Sequence, residues 1–241
     1  MSGTLHVVGM GPGDPELMTL KAARILASAP VFAHFAKIGR AGHARNISQG
    51  KTAPDATELR FDYPYTTEID LADPRYLAGM GEFYEQCAQT VAKHLQAGRD
   101  VALLCEGDPF FYGSAMYVFD RLRESHPTEV IPGVTAMSGA WSRCSVPMTH
   151  GDDRLTVLPG TLQEDELAER LADADAAVIM KIGRNLPKIR AALERAGLCE
   201  RAIYVERATM RDELVCKVAD LDRAPAPYFA LILVPGRQGA R

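Results

Sequence analysis

Two segments of the chain combine glycine, aspartate and proline in a way that suits a small-molecule site. Residues 9–16 read GMGPGDPE and residues 106–113 read EGDPFFYG, and each follows a short apolar run. Glycine lets the main chain approach a bound molecule closely, so a rigid loop against a ligand without a phosphate is one interpretation. The other is a tight turn in which the aspartate caps the next helix. The residues alone leave both open.

The first loop departs from the G-x-G-x-x-G fingerprint of dinucleotide-binding proteins. A match that begins at Gly9 needs glycine at position 14, where the carboxylate of Asp14 would repel a diphosphate. Pro12 and Pro15 also lack the amide hydrogens that could hold a phosphate. These differences make a nicotinamide-dependent dehydrogenase the weaker interpretation of this loop.

The segments around both loops predict an α/β protein. Short apolar runs predict strands at 5–8, 31–33, 101–105, 129–131, 155–158, 176–181, 202–206 and 228–234. Helical periodicity predicts helices at 16–27, 75–97, 114–125, 163–173 and 186–196, with a further helix that starts near residue 134. Residues 39–74 are expected to form loops with short elements.

This alternation predicts sheets with helices on their faces and ligand sites at the carboxyl ends of the strands. The two glycine loops lie at such strand ends. We expect two α/β domains, residues 1–132 and residues 133–241.

Composition excludes several classes of protein. The 241 residues carry a formal net charge of −4, which argues against general binding to nucleic acid or anionic membranes. No apolar run reaches the roughly 18 residues of a membrane span, and no secretory signal pattern is seen, so we expect a cytoplasmic protein. The five cysteines and six histidines are scattered without ligand spacing, so no metal site is predicted.

Three segments of the chain resemble the ordered signatures of the tetrapyrrole methylases, which use S-adenosylmethionine to methylate uroporphyrinogen and precorrins. They are residues 8–32 (VGMGPGDPELMTLKAARILASAPVF), 98–114 (GRDVALLCEGDPFFYGS) and 131–139 (IPGVTAMSG). Four more stretches resemble the branch of this family that methylates carbon 20 of precorrin-2 in cobalamin biosynthesis. They are residues 35–47, 61–68, 145–162 and 178–189.

The resemblance implies a homodimer of two-domain chains, with S-adenosylmethionine in the cleft between the domains. The positions that it assigns to the cofactor are Pro12, Gly107, Asp108, Phe111, Thr135, Ala136, Met180 and Ala208. Two of them depart from the family pattern. Met180 is followed by Lys181 where many relatives have glycine, and Ala208 stands where relatives often have glycine in contact with the adenine.

The resemblance also implies a substrate with many carboxylates and a broad, flat ring. Lys37, Arg40 and Arg184 are candidates for the carboxylates, and Tyr112 is a candidate for the ring face. Methyl transfer from a sulfonium depends mainly on positioning, so no catalytic side chain is assigned. The proton acceptor is a side chain, a water or a substrate carboxylate.

Two alternatives keep the tetrapyrrole but change the activity. In the first, the acceptor is a cobalt-containing factor II rather than metal-free precorrin-2. In the second, the chain is a carrier that binds the tetrapyrrole without reacting. Both cofactor loops are intact, which argues against the carrier.

Overall fold

The protein is described by a computed structural model over residues 2–65, 73–222 and 224–236. The chain divides into two compact units, Met1–Thr135 and Ala136–Arg241, whereas the sequence-based boundary follows residue 132. Residues 66–68 of the stretch 61–68 lie outside the described residues. No helix in the described ranges combines the length and the apolar character needed to cross a membrane.

The first unit contains a five-stranded parallel sheet. Its strands are β1 (Leu5–Gly9), β2 (Val31–Lys37), β3 (Thr57–Tyr63), β4 (Val101–Cys105) and β5 (Thr128–Ile131), in the order β3-β2-β4-β1-β5. Its helices are α1 (Leu20–Ser28), α2 (His43–Ile47), α3 (Pro74–Gln96) and α4 (Ala115–Leu122).

The central strands β1 and β4 of this sheet are covered on both faces. Val7 and Leu103 pack with α3 and α4 on one face, while their neighbours Val8 and Leu104 pack with α1 and α2 on the other. The chain leaves the adjacent strands β1 and β4 in opposite directions along the sheet. Such a reversal opens a ligand crevice at the carboxyl ends of the strands in parallel sheets.

The second unit contains a mixed sheet. Its strands are β6 (Leu155–Pro159), β7 (Ala176–Met180), β8 (Ile203–Glu206), β9 (Leu214–Lys217) and β10 (Ala230–Val234), in the order β6-β7-β10-β8-β9. Its helices are α5 (Ala136–Cys144), α6 (Glu164–Ala172) and α7 (Leu186–Arg195). Strand β10 is antiparallel to both of its neighbours, so β7 and β8 run in the same direction.

The structure corrects four local expectations. The first long helix begins at Leu20 rather than near residue 16, because Thr19 caps it and a separate 3₁₀ turn occupies Pro15–Leu17. The region 39–74 contains β3, a full strand of seven residues. Strand β9 was not predicted, and the last strand begins at Ala230 rather than at residue 228.

Candidate active site

Three glycine-containing loops meet at the carboxyl edge of the first sheet. They follow β1, β4 and β5, which are neighbours in the parallel sheet. The amide of Gly107 donates to the carbonyl of Gly11 at 2.8 Å, and the amide of Gly11 donates back to Gly107 at 3.3 Å. This bridge joins the two Gly-Asp-Pro loops that lie almost one hundred residues apart in the sequence.

Glycine is required where these loops touch. A Cβ atom at Gly133 would lie 2.1 Å from the carbonyl oxygen of Gly107. A Cβ atom at Gly9 would lie 2.6 Å from the amide nitrogen of Gly133. Both distances are far below contact, so a side chain at either position would force the loops apart.

Asp108 fastens the second loop internally and to the third loop. Its Oδ1 accepts a hydrogen bond from the amide of Phe110 at 2.9 Å, as a turn cap does. Its Oδ2 accepts from the amide of Gly133 at 3.1 Å. Asp108 therefore caps the turn of its own loop rather than the next helix, whose N-cap residue is Ser114, and the same carboxylate also links two loops. Asp14 caps the 3₁₀ turn, since its Oδ1 accepts a hydrogen bond from the amide of Glu16.

The cofactor candidates of the first unit lie on these loops or at their margins. Pro12 is buried between Gly11 and Gly13, and Phe111 is half-buried against the ring of Tyr112, with 5.0 Å between the ring centres. Thr135 follows Gly133 by two residues. The structure thus brings the candidate segments around Pro12, Gly107, Asp108, Phe111 and Thr135 to one edge of one sheet.

The three candidates of the second unit border a single apolar cluster. Ala136, Met180 and Ala208 pack, partly buried, against a core on the sheet face that α5 covers. Met180 ends β7, and its carbonyl accepts a hydrogen bond from Gly160 at 2.6 Å. Ala208 follows β8, whose carboxyl end lies at the same sheet edge as that of β7.

Backbone geometry marks these two strand ends. Lys181 has a φ of 56°, and the neighbours of Ala208, Arg207 and Thr209, have φ values of 48° and 67°. Non-glycine residues in this left-handed region are uncommon and occur often at functional sites. Lys181 therefore adopts a backbone conformation that favours glycine.

Buried and partly buried carboxylates hold the segment around Ala208. Glu206, fully buried, accepts from the hydroxyl of Tyr204 at 2.8 Å and pairs with Arg207. Glu213 accepts from the amide of Thr209 at 2.9 Å and from Nε of Arg143 on α5 at 2.8 Å. The hydrogen bond from Arg143 keeps the pKa of Glu213 below its ordinary value.

The substrate candidates are exposed and fall into two groups. Lys37 and Arg40 lie in a turn that closes β2, in which Arg40 donates to the carbonyl of Lys37 at 2.9 Å. Tyr112, 45% exposed, follows β4 at the same sheet edge. Arg184 lies in the second unit, in the 3₁₀ turn Gly183–Asn185 after β7. The first three thus share an edge with the glycine loops.

Sequence reasoning missed the contacts that hold the loops together. Gly9 and Gly133 were inside quoted motifs, but nothing local shows that their Cα atoms come into contact. Glu106 was noted only as the first residue of the second loop, yet its Oε1 accepts from the amide of Ala44 at 3.1 Å. Its place directly before Gly107 was the only available signal.

Comparison with known proteins gives a consistent result. The family model described as Tetrapyrrole (Corrin/Porphyrin) Methylases matches residues 4–222. The Precorrin-2 C(20)-methyltransferase of Sinorhizobium sp is 54% identical, over 97% of this chain and 96% of the relative. The Cobalt-precorrin-2 C(20)-methyltransferase of Salmonella typhimurium is 29% identical, over 97% of each chain.

A solved structure extends the similarity to a ligand complex. The uroporphyrin-III C-methyl transferase from Thermus thermophilus, complexed with S-adenyl homocysteine, is 25% identical with a TM-score of 0.67. The match covers 97% of this chain and 92% of that one.

Proposed function

Because this chain belongs to the tetrapyrrole (corrin/porphyrin) methylase family, we propose that it transfers a methyl group from S-adenosylmethionine to carbon 20 of precorrin-2. The observation that carries the proposal is the 54% identity to the Sinorhizobium enzyme along almost the whole length of both chains. The product would be precorrin-3A, an intermediate of cobalamin biosynthesis, and the released cofactor would be S-adenosylhomocysteine.

The glycine loops fit such a cofactor better than a dinucleotide. Pro12 and Pro15 have no amide hydrogen to donate to a phosphate. S-adenosylmethionine has no phosphate, so its binding does not require those donors. It carries a positive sulfonium and a positive amino group, which the carboxylates of Asp14 and Asp108 complement electrostatically. The packed contacts among Gly9, Gly107 and Gly133 make this sheet edge a rigid platform.

The second unit offers a small apolar surface of the kind that suits an adenine ring. Ala136, Met180 and Ala208 contribute short or flexible apolar groups to the margin of one cluster. Among the described residues, no hydrogen-bond partner is found for the main chain of Ala208, which leaves it available to the adenine edge. These residues and those of the glycine loops are the proposed cofactor contacts.

The residues of this chain act mainly by positioning. The cofactor, when bound, supplies a methyl group attached to a sulfonium sulfur. Once the methyl group is transferred, the sulfur departs as a neutral thioether and needs no acid to protonate it. The protein has to hold the methyl group and carbon 20 in line, and well-oriented binding supplies much of the rate. Arg40 and Arg184 are suited to the substrate carboxylates as planar donors, and Lys37 as a point charge.

Parallel assays with two acceptors test the proposal. Purified protein is mixed with S-adenosylmethionine and either precorrin-2 or its cobalt-containing counterpart. The masses of the products are measured by mass spectrometry. We expect precorrin-2 to gain one methyl group at the higher kcat/KM. A preference for the cobalt form would change the acceptor, and bound cofactor with no mass change in either would favour a carrier.

We also infer that the protein is a cytoplasmic homodimer. Several large apolar side chains of the first unit are exposed, including Leu77, Phe110 and Tyr117 at 63%, 49% and 48%. Exposed apolar side chains that form one contiguous patch are typical of association surfaces, and we propose that these side chains contribute to such a patch. Sedimentation equilibrium should give twice the mass of one chain, and cell fractionation should recover the activity with the soluble cytoplasmic proteins.

A further inference from the structure

The short helix α2 begins without a capping side chain. Its N-cap residue is Gly42, and no side chain of that residue is available to accept a hydrogen bond. A Cβ atom there would lie 2.5 Å from the carbonyl oxygen of Phe35 and 2.6 Å from Nδ1 of His34. The packing of α2 on β2 therefore demands glycine at the position where helices usually carry a serine, threonine or aspartate.

Glu106 supplies the missing acceptor from a distant part of the chain. Its Oε1 accepts from the amide of Ala44, the second residue of α2, at 3.1 Å. Glu106 directly precedes Gly107, whose amide and carbonyl form the bridge to Gly11. One residue thus joins α2 to the centre of the glycine loops.

The far side of α2 is anchored to the edge of the sheet. Nε of Arg45 donates to Oε1 of Glu58 at 3.1 Å, and its guanidinium lies 5.3 Å from the centre of the Phe32 ring. Nε2 of His34, almost fully buried, lies 2.8 Å from the same oxygen of Glu58. Burial works to raise the pKa of Glu58, but the hydrogen bonds from Arg45 and His34 outweigh it and leave this pKa lowered.

We propose that Glu106 is a positioning residue that couples the second glycine loop to the basic segment 37–45. This inference rests on the proposed function, since it assigns the loop to the cofactor and the segment to the substrate carboxylates. With α2 held to the second glycine loop through Ala44 and to the sheet edge through Arg45, the turn that carries Lys37 and Arg40 keeps a fixed place relative to Gly107. Loss of the Glu106 acceptor frees one end of α2 and loosens that relation.

Two substitutions at Glu106 separate the hydrogen bond from the charge. Glu106→Ala removes the acceptor, whereas Glu106→Gln keeps a side-chain oxygen for the amide of Ala44. Glu124→Ala is the matched control, because Glu124 is an exposed glutamate whose carboxylate pairs with its neighbour Arg123. For each variant, the KM for precorrin-2, the Kd for S-adenosylhomocysteine and the hydrogen exchange of residues 40–50 are measured.

We expect Glu106→Ala to raise the KM for precorrin-2 by about tenfold, as the loss of one charged hydrogen bond does. Its α2 amides should exchange faster, and S-adenosylhomocysteine should no longer slow that exchange. Glu106→Gln and Glu124→Ala should behave like the original protein. A structural role alone would lower the melting temperature and leave the KM and the cofactor response unchanged, which would overturn the proposal.

Two further outcomes would also contradict the proposal. Equal damage from Glu106→Gln and Glu106→Ala would mean that the charge itself acts, not the bond to Ala44. A loss of kcat with no change of KM would mean that Glu106 contacts the reacting atoms. Failure of the proposed function is seen separately, as an original protein that binds S-adenosylhomocysteine but does not methylate precorrin-2. The exchange measurements then still test the coupling between Glu106 and α2.

Discussion

At the scale of single residues, Asp108 combines the two roles that its loop allows. Both of its oxygens accept main-chain hydrogen bonds, one inside its own turn and one from Gly133. A carboxylate oxygen has more than one lone pair, so these bonds leave room for a cationic ligand. The residue is therefore a structural link between two of the proposed cofactor loops, with acceptor capacity that these two bonds do not use.

We expect Asp108→Ala to weaken S-adenosylhomocysteine binding by about tenfold or more, because two main-chain donors lose a charged acceptor. Asp108→Asn, which keeps one acceptor oxygen, should lose less. Isothermal calorimetry measures both, and circular dichroism checks that the fold is intact. Asp120→Ala, at an exposed position on α4, is the control. Unchanged affinity and rate in Asp108→Ala would remove this residue from the site.

The glycine contacts make an equally specific prediction. Gly133→Ala places a methyl group 2.1 Å from the carbonyl oxygen of Gly107, so the loops must separate. We expect a loss of about 1–3 kcal/mol in the free energy of unfolding, together with weaker cofactor binding.

The control for Gly133→Ala is Gly81→Ala in the middle of α3, where a Cβ atom meets nothing within 4 Å. That substitution should raise stability by up to about 1 kcal/mol, because alanine favours the helix. Scanning calorimetry distinguishes the two. A fully stable Gly133→Ala variant with normal cofactor affinity would be incompatible with the close contact.

At the scale of elements, the sequence predicted best what is buried on both sides or strongly periodic. Strand β4 runs over Val101–Cys105 as expected, because every residue in it is buried. Strand β3 was missed although Leu59, Phe61 and Tyr63 alternate with charged residues. Only Phe61 of the strand is buried. Because the strand is largely exposed, it carries the polar and charged residues that are also typical of a loop.

The candidate site was predictable in its parts but not in its connections. Each glycine loop could be placed at a strand end from local patterns alone. The contact of Gly133 with Gly107 depends on the strand order, and the bond from Ala44 to Glu106 joins residues 62 positions apart. Neither leaves a periodic or compositional trace, since both arise from how the elements pack.

The link between α5 and the segment around Ala208 gives a pH-dependent prediction. The pKa of Glu213 is lowered from 4.5 by the hydrogen bond from Arg143. A lowered pKa means that the ion pair stabilises the fold above that ordinary value and that its contribution disappears as the pH falls through the folded-state pKa.

Glu213→Gln should therefore cost about 1 kcal/mol of stability near neutral pH, a modest value because Arg143 is half exposed. The difference from the original protein should shrink in acid, below the lowered pKa. Melting temperatures across a pH series measure this. A difference that grows toward acid would contradict the sign of the shift.

At the scale of the whole molecule, each unit has its own core and its own thiols. Cys87 and Cys105 lie in the first unit, where burial raises the pKa of each to about 12. Cys144, Cys199 and Cys216 lie in the second, and burial raises the pKa of Cys144 to about 11. Because the thiolate is the reactive form, all five should react slowly in the folded protein.

Alkylation of the cysteine thiols at increasing urea concentrations should therefore report the unfolding of each unit. We expect Cys87 and Cys105 to become reactive at one shared urea concentration, and Cys144 to follow the second unit. Iodoacetamide labelling with peptide mass spectrometry at pH 8 measures each site. Widely different midpoints for Cys87 and Cys105 would mean that the first sheet does not unfold as a cooperative whole.

The position of β10 affects the order in which the protein can form during synthesis. All five strands of the first sheet have left the ribosome once residue 131 has emerged, so that sheet can close while translation continues. In the second unit, β10 separates β7 from β8, although it follows both of them in the sequence. At about 5–20 residues per second, this half waits several seconds with two unpaired apolar strand edges, the period in which a nascent chain most needs a chaperone.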